Sequence, residues 1–224
     1  MLRQAIADHI GPARGIPADP EDIVIVGGSQ DGLTLIAQAF GHHCNTFLHE
    51  DPCYQGARFA FHGTGWTCTP VPVDAQGIEV ERLPERGPSL LYVTPSHQYP
   101  IGMTMTLERR LALLDWAERT DSLIIEDDYD GEFRYEGAPL TALRGLDRTG
   151  RVIYLGTFSK SIGPGLRLGF VIASPGGGGA AEALEAAQQQ LRALAGTGGD
   201  GRVHGLRRFP AAPAAHPGAL HEPP

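Results

Sequence analysis

The sequence predicts an α/β fold of three layers, αβα, built around a mostly parallel β-sheet. Two observations support this prediction. Short apolar runs rich in Val, Ile, Leu and Tyr alternate along the chain with segments of helical spacing, which is typical of a sheet with helices on both faces. The 224-residue chain is 42% hydrophobic and 20% charged, a composition that suits a globular protein with one substantial core.

The chain up to residue 74 predicts alternating helices and strands. Residues 2–10 carry apolar positions at helical spacing, and we expect this helix to end at Gly11-Pro12, because proline cannot continue a helix. The elements expected after it are a strand with its turn at 22–30, a helix at 31–40, a strand at 45–52, a helix at 54–62 and a strand at 66–74.

The next part of the chain predicts four more strands, at residues 89–95, 122–128, 151–159 and 167–174. Between the first two lies a helix at 106–120. Its buried stripe is predicted at Leu107, Leu111, Leu114 and Ala117.

After Ser174 the periodicity is lost. Residues 1–175 are therefore expected to form a large domain. Residues 176–224 are expected to form a low-complexity tail, with one helix at about 180–195 and disorder elsewhere.

Composition excludes several classes of function. The net charge of −8 argues against a basic nucleic-acid-binding surface spread over the chain. The sequence lacks a run of about 18 apolar residues and a signal peptide, so we expect no membrane span. Its three cysteines fit no metal-binding spacing and are expected to be reduced thiols in a cytoplasmic protein.

Polar residues follow four of the predicted strands, at the end where parallel sheets bind ligands. They are residues 27–30 (GGSQ), 96–99 (SHQY), 127–129 (DDY) and 157–160 (TFSK). The first could hold a phosphate at a helix N-terminus, although a plain strand–helix turn has the same pattern. His97, in the second, is either a titrating group or a structural histidine.

Lys160 is the only lysine in the chain, among 18 Lys and Arg residues. In a dry site its neutral amine can form a Schiff base with an aldehyde, which arginine cannot do. The alternative is a surface lysine beside a Gly-Pro turn. Ser159 and Arg167 flank it and could add a hydroxyl and a guanidinium to a phosphate site, while Arg167 could equally form a surface salt bridge.

The acidic run that ends the strand at 122–128 has three interpretations. Asp127 could face the nitrogen of a pyridine ring and keep it protonated. The run could also be a solvated turn, or a metal site formed by Glu126, Asp127, Asp128 and Asp130. Tyr54 follows another strand, where its ring could stack on a flat cofactor or simply pack in the core.

Three stretches carry a resemblance to a known family, YVTPSHQYPIGMTM (92–105), IIEDDYDGEFRYEG (124–137) and RVIYLGTFSKSIGPGLRLGF (151–170). Over residues 1–175 the chain resembles the class I/II aminotransferases, which are fold-type-I enzymes dependent on pyridoxal 5′-phosphate (PLP). It is most similar to the aminotransferase-like domain of MocR-type regulators in the GntR superfamily. The resemblance implies an incomplete fold-type-I large domain with PLP as its cofactor.

The resemblance also implies roles for individual residues. Lys160 would form the internal aldimine, Asp127 would pair with the pyridinium nitrogen, and Tyr129 would bond the phenolic O3′. Tyr54 would stack on the ring, and the phosphate would be held by Ser29, Gln30, Thr157 and Arg167. Tyr99 replaces the asparagine that bonds O3′ in aminotransferases, which weakens the case for efficient transamination.

Two departures from the family limit these expectations. No winged helix precedes Met1, so we expect no DNA binding in the regulators' manner. The small C-terminal domain, with the arginine that binds the substrate carboxylate, has no counterpart after about residue 175. Our hypothesis for residues 176–224 is a truncated or frameshifted reading frame.

The expected function is that of a PLP-dependent aminotransferase-like domain, weak or inactive as this chain, acting on an amino acid or amine. The alternatives are a sensing module for an amino compound and a fragment without function. A homodimer is implied by the resemblance.

Overall fold

The computed structural model describes residues 1–41, 44–131, 141–158, 167–173 and 183–189. The helices are α1 (Leu2–Arg14), α2 (Ser29–Phe40), α3 (Gln55–Gly63), α4 (Leu107–Thr120) and α5 (Leu143–Leu146). The strands are β1 (Ile23–Val26), β2 (Thr46–Asp51), β3 (Thr67–Asp74), β4 (Gly77–Ile78), β5 (Leu90–Val93), β6 (Leu123–Asp128), β7 (Val152–Thr157) and β8 (Gly169–Ile172). Residues 183–189 are also helical.

One sheet contains all eight of these strands, in the order β1-β8-β7-β6-β5-β2-β3-β4. The central run β7-β6-β5-β2-β3 is parallel throughout. β8 lies antiparallel to β7 and β1, and β4 forms a hairpin with β3. The prediction of an α/β fold with a mostly parallel sheet is therefore confirmed.

Helices cover both faces of this sheet. On one face, α2, α3 and residues 183–189 pack against alternate strand residues such as Phe47, Tyr92 and Ile125. On the other face, α4 packs against Leu91 and Ile124, and α1 packs beside it. β6 is buried along its whole length. Because successive side chains of a strand point to opposite faces of the sheet, neighbouring residues of β6 are buried in different layers. This alternation decides what each acidic residue of β6 contacts.

The predicted end of the first helix was wrong. α1 continues through Gly11-Pro12 to Arg14 and ends at Gly15, which has the left-handed φ of 69° common at helix ends. Arg14 is buried and bonds to Ser96 and Asp128, which are distant from it in the sequence. A tertiary contact thus stabilises a last turn that proline disfavours locally.

The predicted buried stripe of α4 was right for Ala117, which is buried, and for Leu114, which packs partly buried against the core, and wrong for its other two positions. Leu107 and Leu111 are 60% and 51% exposed. The face that packs on the sheet carries Leu113, Trp116 and Ala117. Buried Arg110 shares this face, where its guanidinium donates to the carbonyls of three residues, Met105, Pro95 and Thr141. A buried arginine that bonds backbone carbonyls is invisible to a count of apolar positions.

The described helices include none that is both long and apolar enough to cross a membrane. The three cysteines are free thiols. Leu184 and Ala187 are buried in the core on the α2 side, within the region where the sequence predicts a helix at 180–195. The predicted domain boundary at residue 175 stays a prediction.

Candidate functional site

A cavity of about 310 Å³ lies at the carboxyl ends of the parallel strands. Arg167 reaches the same edge because it precedes β8, which runs in the opposite direction. The lining residues come from well-separated parts of the chain and are Gly27, Gly28, Ser29, Gln30, Tyr54, Tyr92, Tyr99, Asp127, Tyr129, Thr157 and Arg167.

One end of the cavity is formed by the start of α2. Gly28 precedes the helix with φ 101°, a conformation that favours glycine, and Ser29 and Gln30 are its first residues. Gly169 packs so closely that a Cβ there would lie 3.0 Å from the Gly28 Cα. The first turn of a helix leaves N–H groups without intrahelical partners and carries a positive partial charge. Arg167 lines the same cavity.

Gly56 contacts both the start of α2 and the Tyr54 ring. Gln30 donates from Nε2 to the Gly56 carbonyl at 3.1 Å. A Cβ at Gly56 would overlap both the Tyr54 ring and Gln30 Oε1. The Tyr54 ring therefore folds over a position where only glycine fits, and the side chain of Gln30 packs against the same position.

Three tyrosines form the aromatic wall and mouth of the cavity. Tyr99 contacts Tyr54 edge-on, with ring centroids 5.9 Å apart, and Tyr129 edge-on at 5.8 Å. Tyr99 is 41% exposed and so lies at the mouth. Such perpendicular contacts are a favourable arrangement of aromatic rings. The cavity thus presents flat apolar surfaces along one side.

The other end of the cavity contains the carboxylate of Asp127, which is only 3% exposed. Tyr92, which is fully buried, donates from its hydroxyl to Asp127 Oδ2 at 2.8 Å. Burial together with the Asp127 charge raises the pKa of Tyr92 well above its ordinary value, so the phenol keeps its proton. This end of the cavity suits a ligand atom that carries a proton.

Glu126 and Asp128 point to the opposite face of the sheet from Asp127. Glu126 accepts the N–H groups of Leu143 and Arg144 at the start of α5, both at 2.8 Å. Burial raises the pKa of Glu126 to about 7. Asp128 forms a buried ion pair with Arg14, with Nε 2.7 Å from Oδ2.

The interpretation of this acidic run as a metal site is therefore wrong for these carboxylates, since they diverge. No cluster of three or more potential ligands occurs in the described part of the chain.

Tyr129 and His97 stack at the mouth of the cavity, with ring centroids 6.0 Å apart. His97 Nδ1 is paired with the carboxylate of Asp130, and His97 itself is exposed. Burial, followed by the nearby charge of Asp130, raises the pKa of Tyr129. His97 is thus an exposed partner of Asp130 rather than a group in the cavity lining.

Glu50 is a buried carboxylate that the sequence analysis missed. It accepts hydrogen bonds from Thr94, through the backbone N–H at 3.2 Å and Oγ1 at 2.8 Å, and from Gln98 Nε2 at 3.3 Å. Gln98 also donates to the Pro52 carbonyl. Glu50 therefore connects the segment that leads to Tyr54 with the loop that carries Tyr99. Burial raises its pKa to about 7.

The cavity brings together eight of the residues singled out from the sequence: Ser29, Gln30, Tyr54, Tyr99, Asp127, Tyr129, Thr157 and Arg167. Lys160 and Ser159 lie outside the described residues. Tyr92 was not predicted as a site residue, because a tyrosine inside an apolar strand looks like part of the core. Only the register between β5 and β6 shows which carboxylate it reaches.

Comparison with known proteins agrees with this geometry. The family profile "Aminotransferase class I and II" matches residues 1–198. An uncharacterised HTH-type transcriptional regulator of Bacillus subtilis, YdeL, is 46% identical over 171 residues, 76% of this chain and 37% of that protein. The probable rhizopine catabolism regulatory protein MocR of Rhizobium meliloti is 41% identical over 174 residues, 78% of this chain and 35% of that protein.

Among solved structures, a Pyrococcus horikoshii kynurenine aminotransferase in complex with PMP superimposes with a TM-score of 0.73 and 35% identity. The match covers 84% of this chain and 48% of that chain. The chain thus spans about a third of the length of the two regulators and about half of the enzyme.

Proposed function

Because this chain belongs to the class I and II aminotransferase family, we propose that its cavity binds pyridoxal 5′-phosphate and that the domain acts on an amino acid or amine. The observation that carries the proposal is the polarity of the cavity. A buried carboxylate, Asp127, lies at the end of β6, whereas α2 starts beyond the end of β1, three strands away in the sheet. Arg167 and the rings of Tyr54, Tyr99 and Tyr129 line the same cavity.

These residues fit the cofactor group by group. The α2 N-terminus, Thr157 and Arg167 suit a phosphate, which binds well to helix N-termini and to guanidinium groups. The Tyr54 ring suits the flat face of a pyridine. The Asp127 carboxylate suits a protonated ring nitrogen, because an opposite charge favours the charged form. A cavity of about 310 Å³ is within the range of small-ligand sites.

Each residue then has a distinct task. When bound, the cofactor supplies an electron sink for the bonds at the amino-bearing carbon. Asp127 would hold the ring nitrogen proton, Tyr54 would cover the ring, and Tyr129 would bond the ring hydroxyl. Lys160 would attach the cofactor covalently and, once released, would move a proton of the amino compound. Turnover by this chain would be weak, since Tyr99 stands where aminotransferases have an asparagine.

A sensing module is the second candidate function. It is supported by two relatives that are 41–46% identical to this chain, one named as an HTH-type transcriptional regulator and the other as a probable regulatory protein. In this case the domain would bind the cofactor and recognise an amino compound without releasing a product. A homodimer and DNA binding by a longer regulator would belong to the same proposal.

The test is purification with PLP followed by an absorbance scan, borohydride reduction and peptide mapping. We expect a cofactor-dependent absorbance band and a reduced adduct on the peptide that contains Lys160. Lys160→Ala should lose the adduct, and an adduct that survives this substitution would contradict the assignment. Adding amino donors then separates the two functions. A keto acid product indicates a transaminase, and a spectral change without product indicates a sensor.

A further inference from the structure

We infer that Tyr92 is the positioning residue of the site, and that its hydroxyl holds the Asp127 carboxylate ionised and directed toward the cavity. The inference rests on the proposed function, because it assigns Tyr92 a task toward the same cofactor. Neither residue is exposed to solvent enough for water to replace this bond, since Tyr92 is 0% and Asp127 3% exposed. The hydrogen bond between them is 2.8 Å long.

The register of the sheet produces this contact. Tyr92 on β5 lies opposite Ile125 on β6, and both pack into the core on the α2 side. Side chains two residues apart on a strand share a face, so Asp127 follows Ile125 on that side. It lies about 6.6 Å further along the strand. The phenol of Tyr92 extends along β6 and reaches the carboxylate at the edge of the cavity.

A hydrogen bond donated to a carboxylate favours its ionised form. In a water-poor site, the effect is larger than it would be at the surface. Without this donor, Asp127 would take up a proton more readily. A neutral carboxyl group would no longer oppose the positive charge of a protonated ring nitrogen. Tyr92 therefore affects cofactor binding through Asp127.

The molecule contains a matched comparison for Tyr92. Tyr154 on β7 lies opposite Glu126 and donates to Asp128 Oδ2, two residues further along, at 2.6 Å. Tyr154 is as deeply buried as Tyr92, at 2% exposure. The bond it makes lies on the other face of the sheet, and Tyr154 is not a lining residue of the cavity. If these buried tyrosines had only a structural role, Tyr92→Phe and Tyr154→Phe would have similar effects on the titration of Asp127.

The experiment compares Tyr92→Phe with Tyr154→Phe in the full chain labelled with ¹³C at aspartate carboxyl groups. Asp127→Asn assigns the Asp127 resonance. In the ligand-free protein we expect this resonance to titrate about one pH unit higher in Tyr92→Phe than in wild type. We expect Tyr154→Phe to leave it unchanged. The dissociation constant for PLP should rise about tenfold in Tyr92→Phe.

An unchanged Asp127 titration in Tyr92→Phe would overturn the inference, as would an equal shift in Tyr154→Phe. If wild type binds no PLP, the proposed function fails, while the ligand-free titration still decides the role of Tyr92. Should Tyr92→Phe not fold, 3,5-difluorotyrosine at position 92 keeps the shape and provides a stronger donor. The Asp127 resonance should then titrate at a lower pH than in wild type, and no shift would contradict the inference.

Discussion

Asp127 and Asp128 are neighbours in sequence, yet they lie in two different regions of the molecule. Asp127 faces the cavity on the α2 side and is bonded by Tyr92. Asp128 faces the α1 side, where Arg14 and Tyr154 bond its carboxylate. The first region is open to a ligand and the second is closed by protein groups. In this strand, which is buried on both faces, one of two adjacent aspartates thus lines a cavity and the other forms an ion pair inside the protein.

The closed region has its charge balanced within the protein. Arg14 is 3% exposed, and it also donates to the hydroxyl of Ser96 at 2.5 Å. This ion pair joins the end of α1 to the end of β6. The comparison leads to different expectations for the two carboxylates. Loss of Asp128 should affect folding, and loss of Asp127 should affect ligand binding.

The largest expected effect is that of Asp128→Asn on stability. The substitution leaves the Arg14 guanidinium buried without its counter-charge, which typically costs about 3–5 kcal/mol. Urea unfolding monitored by circular dichroism measures the change. Asp127→Asn is the matched control, with an expected change within about 1 kcal/mol. Equal destabilisation by both substitutions would remove the distinction between the two regions.

Asp127→Asn should instead raise the dissociation constant for PLP about 100-fold, because an amide cannot oppose the charge of a protonated ring nitrogen. Absorbance titration with PLP measures this change. The control is a surface acid far from the cavity such as Asp115, which pairs with Arg119 on the exposed side of α4. Wild-type affinity in Asp127→Asn would show that this carboxylate does not contact the cofactor.

Glu50 extends the comparison to a carboxylate whose hydrogen bonds come from the neutral groups of Thr94 and Gln98. Its pKa is raised from 4.5 to about 7 by burial. The folded state therefore holds the proton more tightly than the unfolded state, and the stability that this provides is lost as the pH rises from 4.5 to about 7.

Glu50→Gln should remove roughly 2 kcal/mol of this pH dependence. Urea unfolding at pH 5 and pH 8 measures it, with Glu126→Gln as a parallel variant. Glu126 is also buried, with a pKa raised to about 7, so we expect it to make a similar, separate contribution to the pH dependence of the unfolding free energy. If the unfolding free energy of Glu50→Gln depended on pH as strongly as that of wild type, Glu50 would ionise in the folded protein as readily as in the unfolded chain.

The smallest expected effect is that of Gly56→Ala on the open region. A Cβ at this position would displace the Tyr54 ring and Gln30, so the PLP dissociation constant should rise about tenfold. Gly41→Ala is the control, since the nearest atom to a Cβ there is 3.4 Å away and φ is −60°. If Gly56→Ala bound PLP like wild type, Tyr54 would not contribute to the site.

Much of the fold was predictable because parallel strands buried on both faces have continuous apolar sequences. The strands at 89–95 and 122–128 were found for this reason. Many candidate site residues were also predictable, since strand ends of a parallel sheet lie along one edge. The end of α1 and the buried face of α4 were not, because both depend on buried arginines, Arg14 and Arg110.

The sequence by itself determined the α/β architecture and the set of polar strand ends that surround the cavity, because hydrophobic period and turn chemistry are local properties. Only the tertiary structure decided the tasks of neighbouring acids. The register of β5, β6 and β7 directs Tyr92 to Asp127 and Tyr154 to Asp128. The packing of α1 supplies Arg14 to one of these carboxylates. Such contacts join residues that are far apart in the chain, so no local sequence pattern predicts them.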